Sequence, residues 1–458
     1  MTQKEGMSPL ERRSAFSLAS LFMFRMLGLF MILPVFSLYA EDLSGSTPLL
    51  VGLAVGIYGL TQAAFQMPFG MASDRLGRKP IIIMGLLIFA VGSAVAAMAD
   101  SIYGVVIGRA IQGAGAIAAT VMALAADLTR EEYRLRAMAI IGLSIGISFS
   151  VALIAGPILN SLVGVPGIFW VTAVLALVGI VIIKFVVPDP VVSRRHRDAE
   201  AIPSQFRAIL ADGQLLRLDF GIFALHMILT ACFVVMPIAL HKHAGLDVSQ
   251  HWIVYLAVMV LAMGGMVPLI IQAEKRRRMK PVFVGAVVTI ALANVAMALV
   301  YSSLAGLVMA LLVYFVAFNV LEATLPSLIA KTAPPDKKGT AMGIYSSSQF
   351  FGAFCGGVAG GWLYGYSGVE SVFIFCALVA VIWAALAATM RNPRYLSSRM
   401  LNVGSIDTAA ARALSMRLTG IRGVAEAVVI AEDGVAYLKV DNHALDEAAL
   451  QAFSVSKP

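Results

Sequence analysis

The sequence predicts an all-α membrane protein of twelve spans in two six-helix bundles, followed by a small C-terminal α+β domain. Three observations carry that prediction. Apolar runs recur from residue 15 to residue 390, each of roughly 20 residues, the length a helix needs to cross a bilayer core. Basic residues crowd the loops of one face. After Pro393 the composition becomes that of an ordinary soluble domain.

The chain is 60% hydrophobic and only 13% charged, with a mean hydropathy of +0.87. Soluble globular chains are about half apolar and a quarter charged, so the excess belongs to the spans. Without water in the bilayer core, the backbone must satisfy itself within helices. The first six spans fall near 15–40, 48–72, 80–99, 103–126, 136–160 and 167–188. The second six fall near 217–240, 252–273, 281–301, 304–330, 339–364 and 370–390.

The loops on the side of the N-terminus hold Arg75, Arg78 and Lys79, then Arg130, Arg134 and Arg136. The central linker adds Arg194, Arg195, Arg197, Arg207 and Arg217. Lys275–Arg278 and Lys280 follow, then Lys331, Lys337 and Lys338, then Arg391, Arg394 and Arg399. Lys242 stands nearly alone on the other face. By the positive-inside rule both termini are cytoplasmic, and Met1–Ser14 reads as a cytoplasmic tail rather than a signal peptide. The net charge of +8 is thus a topology signal, and it does not point to nucleic acid.

The linker divides the helices six and six, giving bundles over 1–190 and 217–393, a cytoplasmic linker over 191–216 and a soluble domain over 398–458. The halves echo each other. Arg136-Ala137-Met138-Ala139-Ile140 opens span five as Thr340-Ala341-Met342-Gly343-Ile344 opens span eleven. Phe24-Arg25-Met26 with Pro34 resembles Leu225-His226-Met227 with Pro237. Two parallel six-helix repeats place a substrate cavity on the pseudo-axis near the midplane.

In the C-terminal region Met400–Val403 reads as a strand and Thr408–Leu418 as a helix. Val424–Ile430 and Val435–Val440 alternate as strands about Asp433-Gly434, a hairpin signal, and Ala444–Phe453 reads as a second helix. The order β-α-β-β-α is ferredoxin-like. The further strand such a fold would want is not evident in Ser454–Pro458. His443 alone makes no site.

The most specific string is Gly70-Met71-Ala72-Ser73-Asp74-Arg75-Leu76-Gly77-Arg78-Lys79, between spans two and three. Gly70 permits close helix approach, Gly77 permits a tight turn, and Asp74 can meet the positive end of another helix. Arg75 and Arg78 can pair with carboxylates, and Asp127 at the end of span four is a partner for Arg78. The string resembles the signature loop of the major facilitator superfamily, G-x-x-x-D-R-x-G-R-[RK], over a region covering all the helices. The resemblance implies the twelve-helix major facilitator fold, and an Asp74 that docks near Gly339 at the start of span eleven to stabilise the outward-facing state. The second half lacks a good copy. Glu274-Lys275-Arg276-Arg277-Arg278-Met279-Lys280 keeps the charge without the glycines, as a topology anchor or lipid-contacting patch. Arg109-Ala110-Ile111-Gln112-Gly113 resembles the family's R-x-x-Q-G motif. Gly156-Pro157 resembles its antiporter motif G-x-x-x-G-P-x-x-G, with Ala152 and Asn160 in place of the flanking glycines. Helices and appended domain together resemble members of the superfamily whose extra ferredoxin-like module is called the YAM domain.

Ionisable residues at membrane depth are costly and mark function. Glu322, His226 and Arg25 are the proton-coupling candidates. Glu322, in mid-span, is placed as a proton carrier should be, with a structural salt bridge to Arg25 as the competing role. Gln62, Gln66, Arg109, Gln112, Asn319 and Gln349 are cavity candidates, although interhelical hydrogen bonding explains such residues equally well. Cys232, Cys355 and Cys376 lie in apolar spans without ligand spacing, so no metal and no disulfide is expected. No G-x-x-x-x-G-K-[ST] loop is present, which favours an ion gradient over ATP. The expectation is a secondary transporter and not an enzyme, without cofactor. Its partners would be a small-molecule substrate, a proton and membrane lipids, with function as a monomer. An uncoupled facilitator, or a sensor signalling through the C-terminal domain, are the alternatives.

Overall fold

The computed structural model describes residues 6–190, 202–392, 396–404, 406–431, 434–441 and 444–454. Arg194, Arg195, Arg197, Arg394, Asp433 and His443, residues 191–201 of the linker, and the chain ends at 1–5 and 455–458 lie outside the described residues.

Helix α1 (Pro9–Phe30) starts at a capping box: Ser8 Oγ accepts from the Glu11 amide at 3.2 Å, and Glu11 Oε2 accepts from the Ser8 amide at 2.7 Å. Two backbone donors left over at a helix start are thereby satisfied. After a turn carrying Pro34 the span resumes as α2 (Phe36–Ala40). Helix α3 (Pro48–Leu76) is capped by Thr47 and passes to α4 (Arg78–Ala97) through Gly77 alone. Gly77 has φ +92°, a backbone that side chains rarely adopt, so the tight turn read from the sequence is present. The fourth span is broken, as α5 (Ile102–Ala114) and α6 (Ala118–Asp127), where Gly115 presses on the backbone of Gly85.

Helix α7 (Glu131–Val181) carries spans five and six, bent at Gly164, and a π-turn over Ile182–Val186 ends it. Beyond α8 (Phe206–Leu210) come α9 (Gly213–Ile238), α10 (His251–Lys275), α11 (Met279–Val300) and α12 (Leu304–Thr332). Helix α13 (Lys338–Ala388) carries spans eleven and twelve, bent at Gly368. Among the described residues ten helices are long and apolar enough to cross a membrane. Helices α7 and α13 each run 51 residues, about 75 Å if straight, against a core of about 30 Å. Both bends are glycines at positive φ, equally far behind Arg136 and Thr340. Two crossings from each of these helices bring the spans to the twelve expected.

The halves meet most closely at the end away from the basic loops. There Lys242 Nζ pairs with Glu41 at 2.6 Å, and Ser37 Oγ donates to the Phe233 carbonyl at 3.5 Å. Helices α3 and α13 touch backbone to backbone: a Cβ on Gly52 would lie 2.1 Å from the Gly357 carbonyl, and one on Gly59 would lie 2.3 Å from that of Phe350. Small residues allow this approach between membrane helices.

The C-terminal domain orders its strands β1-β3-β2, antiparallel throughout: β1 (Ser397–Asn402), β2 (Val424–Ile430) and β3 (Val435–Val440). Helices α14 (Thr408–Thr419) and α15 (Glu447–Gln451) complete the expected β-α-β-β-α order. Strand β1 starts earlier, and α15 is shorter, than the sequence pattern suggests. Ala436, Leu438 and Val440 pack with Leu418, Val424 and Leu450. Strand β3 is buried at every position, where alternation predicts one wet face. Its other face sits on the membrane helices: Lys439 Nζ donates to the carbonyls of Lys331 at 2.9 Å and Thr332 at 3.3 Å.

Candidate functional site

Six of the residues singled out from the sequence fall into one polar chain across the two halves. Arg25 on α1 is buried among the rings of Tyr58 and Phe89, 5.9 and 5.7 Å from its guanidinium carbon, and its Nη2 donates to Gln62 Oε1. One turn along α3, Gln66 Oε1 accepts from Gln62 Nε2 at 3.3 Å, and also from Ser346 Oγ of α13 at 3.3 Å. The chain has then crossed to the second half. One turn on from Ser346, Gln349 Nε2 lies 2.8 Å from His226 Nε2, and that same nitrogen lies 3.1 Å from Glu322 Oε1. The salt bridge between Arg25 and Glu322 does not form. The two are opposite ends of the chain: Arg25 Nη2 donates to Gln62, its Nε and Nη1 are buried without a hydrogen-bond partner among the described residues, and Glu322 meets His226.

The contacts of His226 limit where a hydrogen can sit at the Glu322 end. His226 Nδ1 faces the Ile222 carbonyl at 3.3 Å. A carbonyl only accepts, so Nδ1 carries a hydrogen there. In the neutral ring Nε2 is then bare, and a bare nitrogen against an ionised carboxylate at 3.1 Å would set two acceptors together. A proton on Oε1 resolves that contact and leaves Nε2 bare for the Gln349 amide 2.8 Å away, whereas a proton on Nε2 would set the ring against that amide's own donors. The Glu322 side chain is 31% exposed and that of His226 7%, so the acid is more open than its mid-span position suggests while the ring is packed in.

Arg109 and Gln112 lie elsewhere. Both are fully buried inside the first half, with Arg109 Nη1 donating to Gln112 Oε1 at 2.9 Å and Gln112 Nε2 to Ser93 Oγ at 2.7 Å. The Arg109 guanidinium lies over the Tyr58 ring at 5.0 Å. They hold helices together, the alternative role open to them from sequence. Asn319 Nδ2 is buried without a partner among the described residues. Gly156 packs on α1's end, where a Cβ would lie 2.3 Å from the Met31 carbonyl, and α7 runs on through Pro157.

The signature loop forms a second cluster. Arg78 donates to Asp74 Oδ1 at 2.5 Å, to Ser73 Oγ at 2.7 Å and to Asp127 Oδ2 at 3.2 Å. The pairing expected of Arg78 and Asp127 is thus present, and both side chains are buried. Lys79 Nζ donates to the Val187 carbonyl at 2.6 Å and pairs with Asp189 at 2.8 Å. Arg75 is exposed and has no carboxylate partner among the described residues. Gly339 is buried at the start of α13, beside Thr340, which accepts from the Ile202 amide and donates to Gln205 Oε1.

Sequence reasoning missed Ser346, Tyr345 and Asp219. Ser346 and Tyr345 carry no charge to announce them. Asp219 was legible as an acid inside an apolar run, but it stands near the start of the span, where acids are common.

Comparison with known proteins gives a consistent result. The Major Facilitator Superfamily matches residues 18–354 and 275–403. The chain is 46% identical over 436 residues to the inner membrane transport protein YajR of Escherichia coli, covering 95% of this chain and 96% of that protein. It is 24% identical over 347 residues to the multidrug resistance protein MdtH of Yersinia enterocolitica, covering 74% and 83%. Among solved structures, a bacterial homologue of the human lysosomal transporter Spinster, inward-facing and occupied, superposes with a TM-score of 0.68 at 14% identity, covering 84% of this chain and 97% of that one. The human organic anion transporter MFSD10 does so with a TM-score of 0.62 at 19% identity, covering 83% and 100%. The chain belongs to the major facilitator superfamily, a family of transporters.

Proposed function

We propose that the chain is a proton-driven exporter of small, lipophilic or drug-like molecules, acting by alternating access in the bacterial inner membrane with both termini cytoplasmic. The observation that carries this reading is the Glu322–His226 contact, 3.1 Å between a carboxylate oxygen and a ring nitrogen, a spacing that a proton can occupy. An acid–imidazole pair in a membrane bundle is suited to gaining and losing a proton as the halves rock. With Gln349 one helical turn from Ser346, which donates to Gln66 of the first half, the pair stands beside the interface that moves and would report its protonation there. The names of relatives, an inner membrane transport protein and a multidrug resistance protein, support location and export. Substrate would enter between the bundles 1–190 and 217–393, with 191–216 as linker and 398–458 as a YAM-type module. The Asp74–Arg78–Asp127 cluster would steady the state open away from the basic loops by docking near Gly339.

The test is transport in sealed vesicles, with and without a pH gradient, using ethidium and tetraphenylphosphonium as probes. Glu322→Gln should abolish accumulation driven by the gradient yet leave probe binding and exchange in place. Gradient-driven accumulation retained in that variant would remove the carrier role and favour a structural one.

A further inference from the structure

The Glu322–His226 pair leaves one buried acid of the same half without a role. Asp219 is 5% exposed, and neither carboxyl oxygen has a hydrogen-bond partner among the described residues. It lies two turns before His226 on α9, on the same helix face, about 10 Å nearer the basic end. Tyr345, one turn before Gln349 on α13, is also buried with an unpartnered hydroxyl, and it stands within electrostatic reach of both Glu322 and Asp219. An ionised carboxylate without a partner in such a place bears a desolvation cost of several kcal/mol. Membrane proteins keep such groups where they carry ions or protons.

We propose that Asp219 is a second proton-carrying carboxyl group, the station between the Glu322–His226 pair and the face of the basic loops. This rests on the proton reading of that pair. With its oxygens unpartnered, Asp219 stands here as the neutral acid. The Tyr345 hydroxyl bonds to neither acid in this state. Since a hydroxyl both donates and accepts, it can take a proton from the pair as it gives its own to the Asp219 carboxylate once motion of the bundle closes those gaps. The O–H bond broken at the pair is matched by the one formed on Asp219, and the phenol ends unchanged. Asp219 then loses its proton to water once the basic face opens. The elements packed against α9 are α13, α12, α2, α3 and α8. Towards their basic ends they carry Tyr345 and Lys338 on α13, Glu322 and Lys331 on α12, Asp74 and Arg75 on α3 and Arg207 on α8, with Arg217 on α9 itself. Lys331 pairs with Glu274, and Arg217 donates to Thr389 and to the Gly213 carbonyl.

Two measurements on the full chain in liposomes test this without a known substrate. Infrared spectroscopy in light and heavy water reads buried protonated carboxyls through their C=O stretch. Asp219→Asn should remove a component that Glu322→Gln leaves, and Asp219→Glu should restore it at a shifted frequency. Spin-label distances between α3 and α13 at the basic end, followed with pH, should change in the wild type and in Asp219→Glu but stay flat in Asp219→Asn. An Asp219→Asn protein with the wild-type carboxyl spectrum overturns the proposal. So does an unaltered pH response in that variant when Glu322→Gln has lost it. If Glu322→Gln keeps the pH response, the reading of the pair itself fails. Should Asp219→Asn not fold, Asp219→Glu carries the test: a carboxyl band at the wild-type frequency places the proton elsewhere.

Discussion

Helices α7 and α13 are counterparts in the two halves, each bent at a glycine into two spans, yet they bear very different contacts. In α7 a Cβ on Gly142 or Gly146 would meet nothing within 4 Å. In α13 glycines are pressed on two faces. Gly352 and Gly356 lie against the Phe223 and Met227 carbonyls of α9, each 2.1 Å from a would-be Cβ, while Gly357 lies against Gly52 of α3. The polar chain changes halves on this same helix, through Ser346 and Gln349. Both helices touch their own half and the other one, α7 through α10 and through Phe149 against Phe315 and Phe318 of α12. But α13 alone of the two meets the other half glycine to glycine, at Gly357 and Gly52, and a rocking motion must work against that seam.

The largest effect should come from Gly357→Val. Its Cβ would lie 2.5 Å from the Gly52 carbonyl, and neither backbone can yield without parting the helices. Overpacking of this kind costs about 3 kcal/mol. Gly142→Ala, in open space, should be neutral or stabilising by up to about 1 kcal/mol, since glycine is a poor helix former. Melting temperatures of the two purified variants compare them directly, and equal losses would break the contrast between the helices.

The loops that follow α3 and α10 sharpen it. In the first, Arg78 is buried with Asp74 and Asp127. In the second, Arg276, Arg277 and Arg278 are exposed. Asp74→Asn keeps the Asp127 contact and removes one charge of a partly open pair, so about 1–2 kcal/mol is at stake. That is roughly a tenfold or greater shift in conformational balance, away from the state open opposite the basic loops. Spin-label distances across the basic end should show it. The same shift from Arg277→Gln would mean that any loop charge suffices.

Period and charge made the spans legible, because bilayer length and positive-inside bias act on composition. Legibility failed where backbone conformation decides. The gap between α5 and α6, and the continuity of α7 past Pro157, follow from packing that apolar runs do not encode, whereas the break at Gly164 falls between spans five and six as the sequence pattern has it. At the site, charged and amide side chains announced Arg25, Gln62, Gln66, His226, Glu322 and Gln349. Which of them pair was not legible, since the partners come from α1, α3, α9, α12 and α13. The direct pair first considered, Arg25 with Glu322, is replaced by a relay because glutamines from α3 and α13 stand between. In the C-terminal domain, alternation identified β3 but missed its second buried face, which only the neighbouring helix end explains.

The smallest effect belongs to that face. Lys439 places its ammonium on the last carbonyls of α12, where a cation satisfies orphan acceptors and the negative end of the helix dipole. On the other side β1 meets the start of α7, with Arg134 Nη1 3.8 Å from Met400 Sδ. The domain therefore spans the basic ends of both halves. Lys439→Met keeps the length of the side chain and removes the charge, costing the seat about 1 kcal/mol. If the domain restrains rocking, exchange between conformations should speed up by about fivefold, the rate equivalent of that energy, with the melting of the membrane helices unchanged. If it only supports folding, the melting temperature should fall and the exchange rate stay as it was. Spin-label exchange rates and a thermal melt on one preparation separate the two, and truncation after Arg399 should exaggerate whichever is seen.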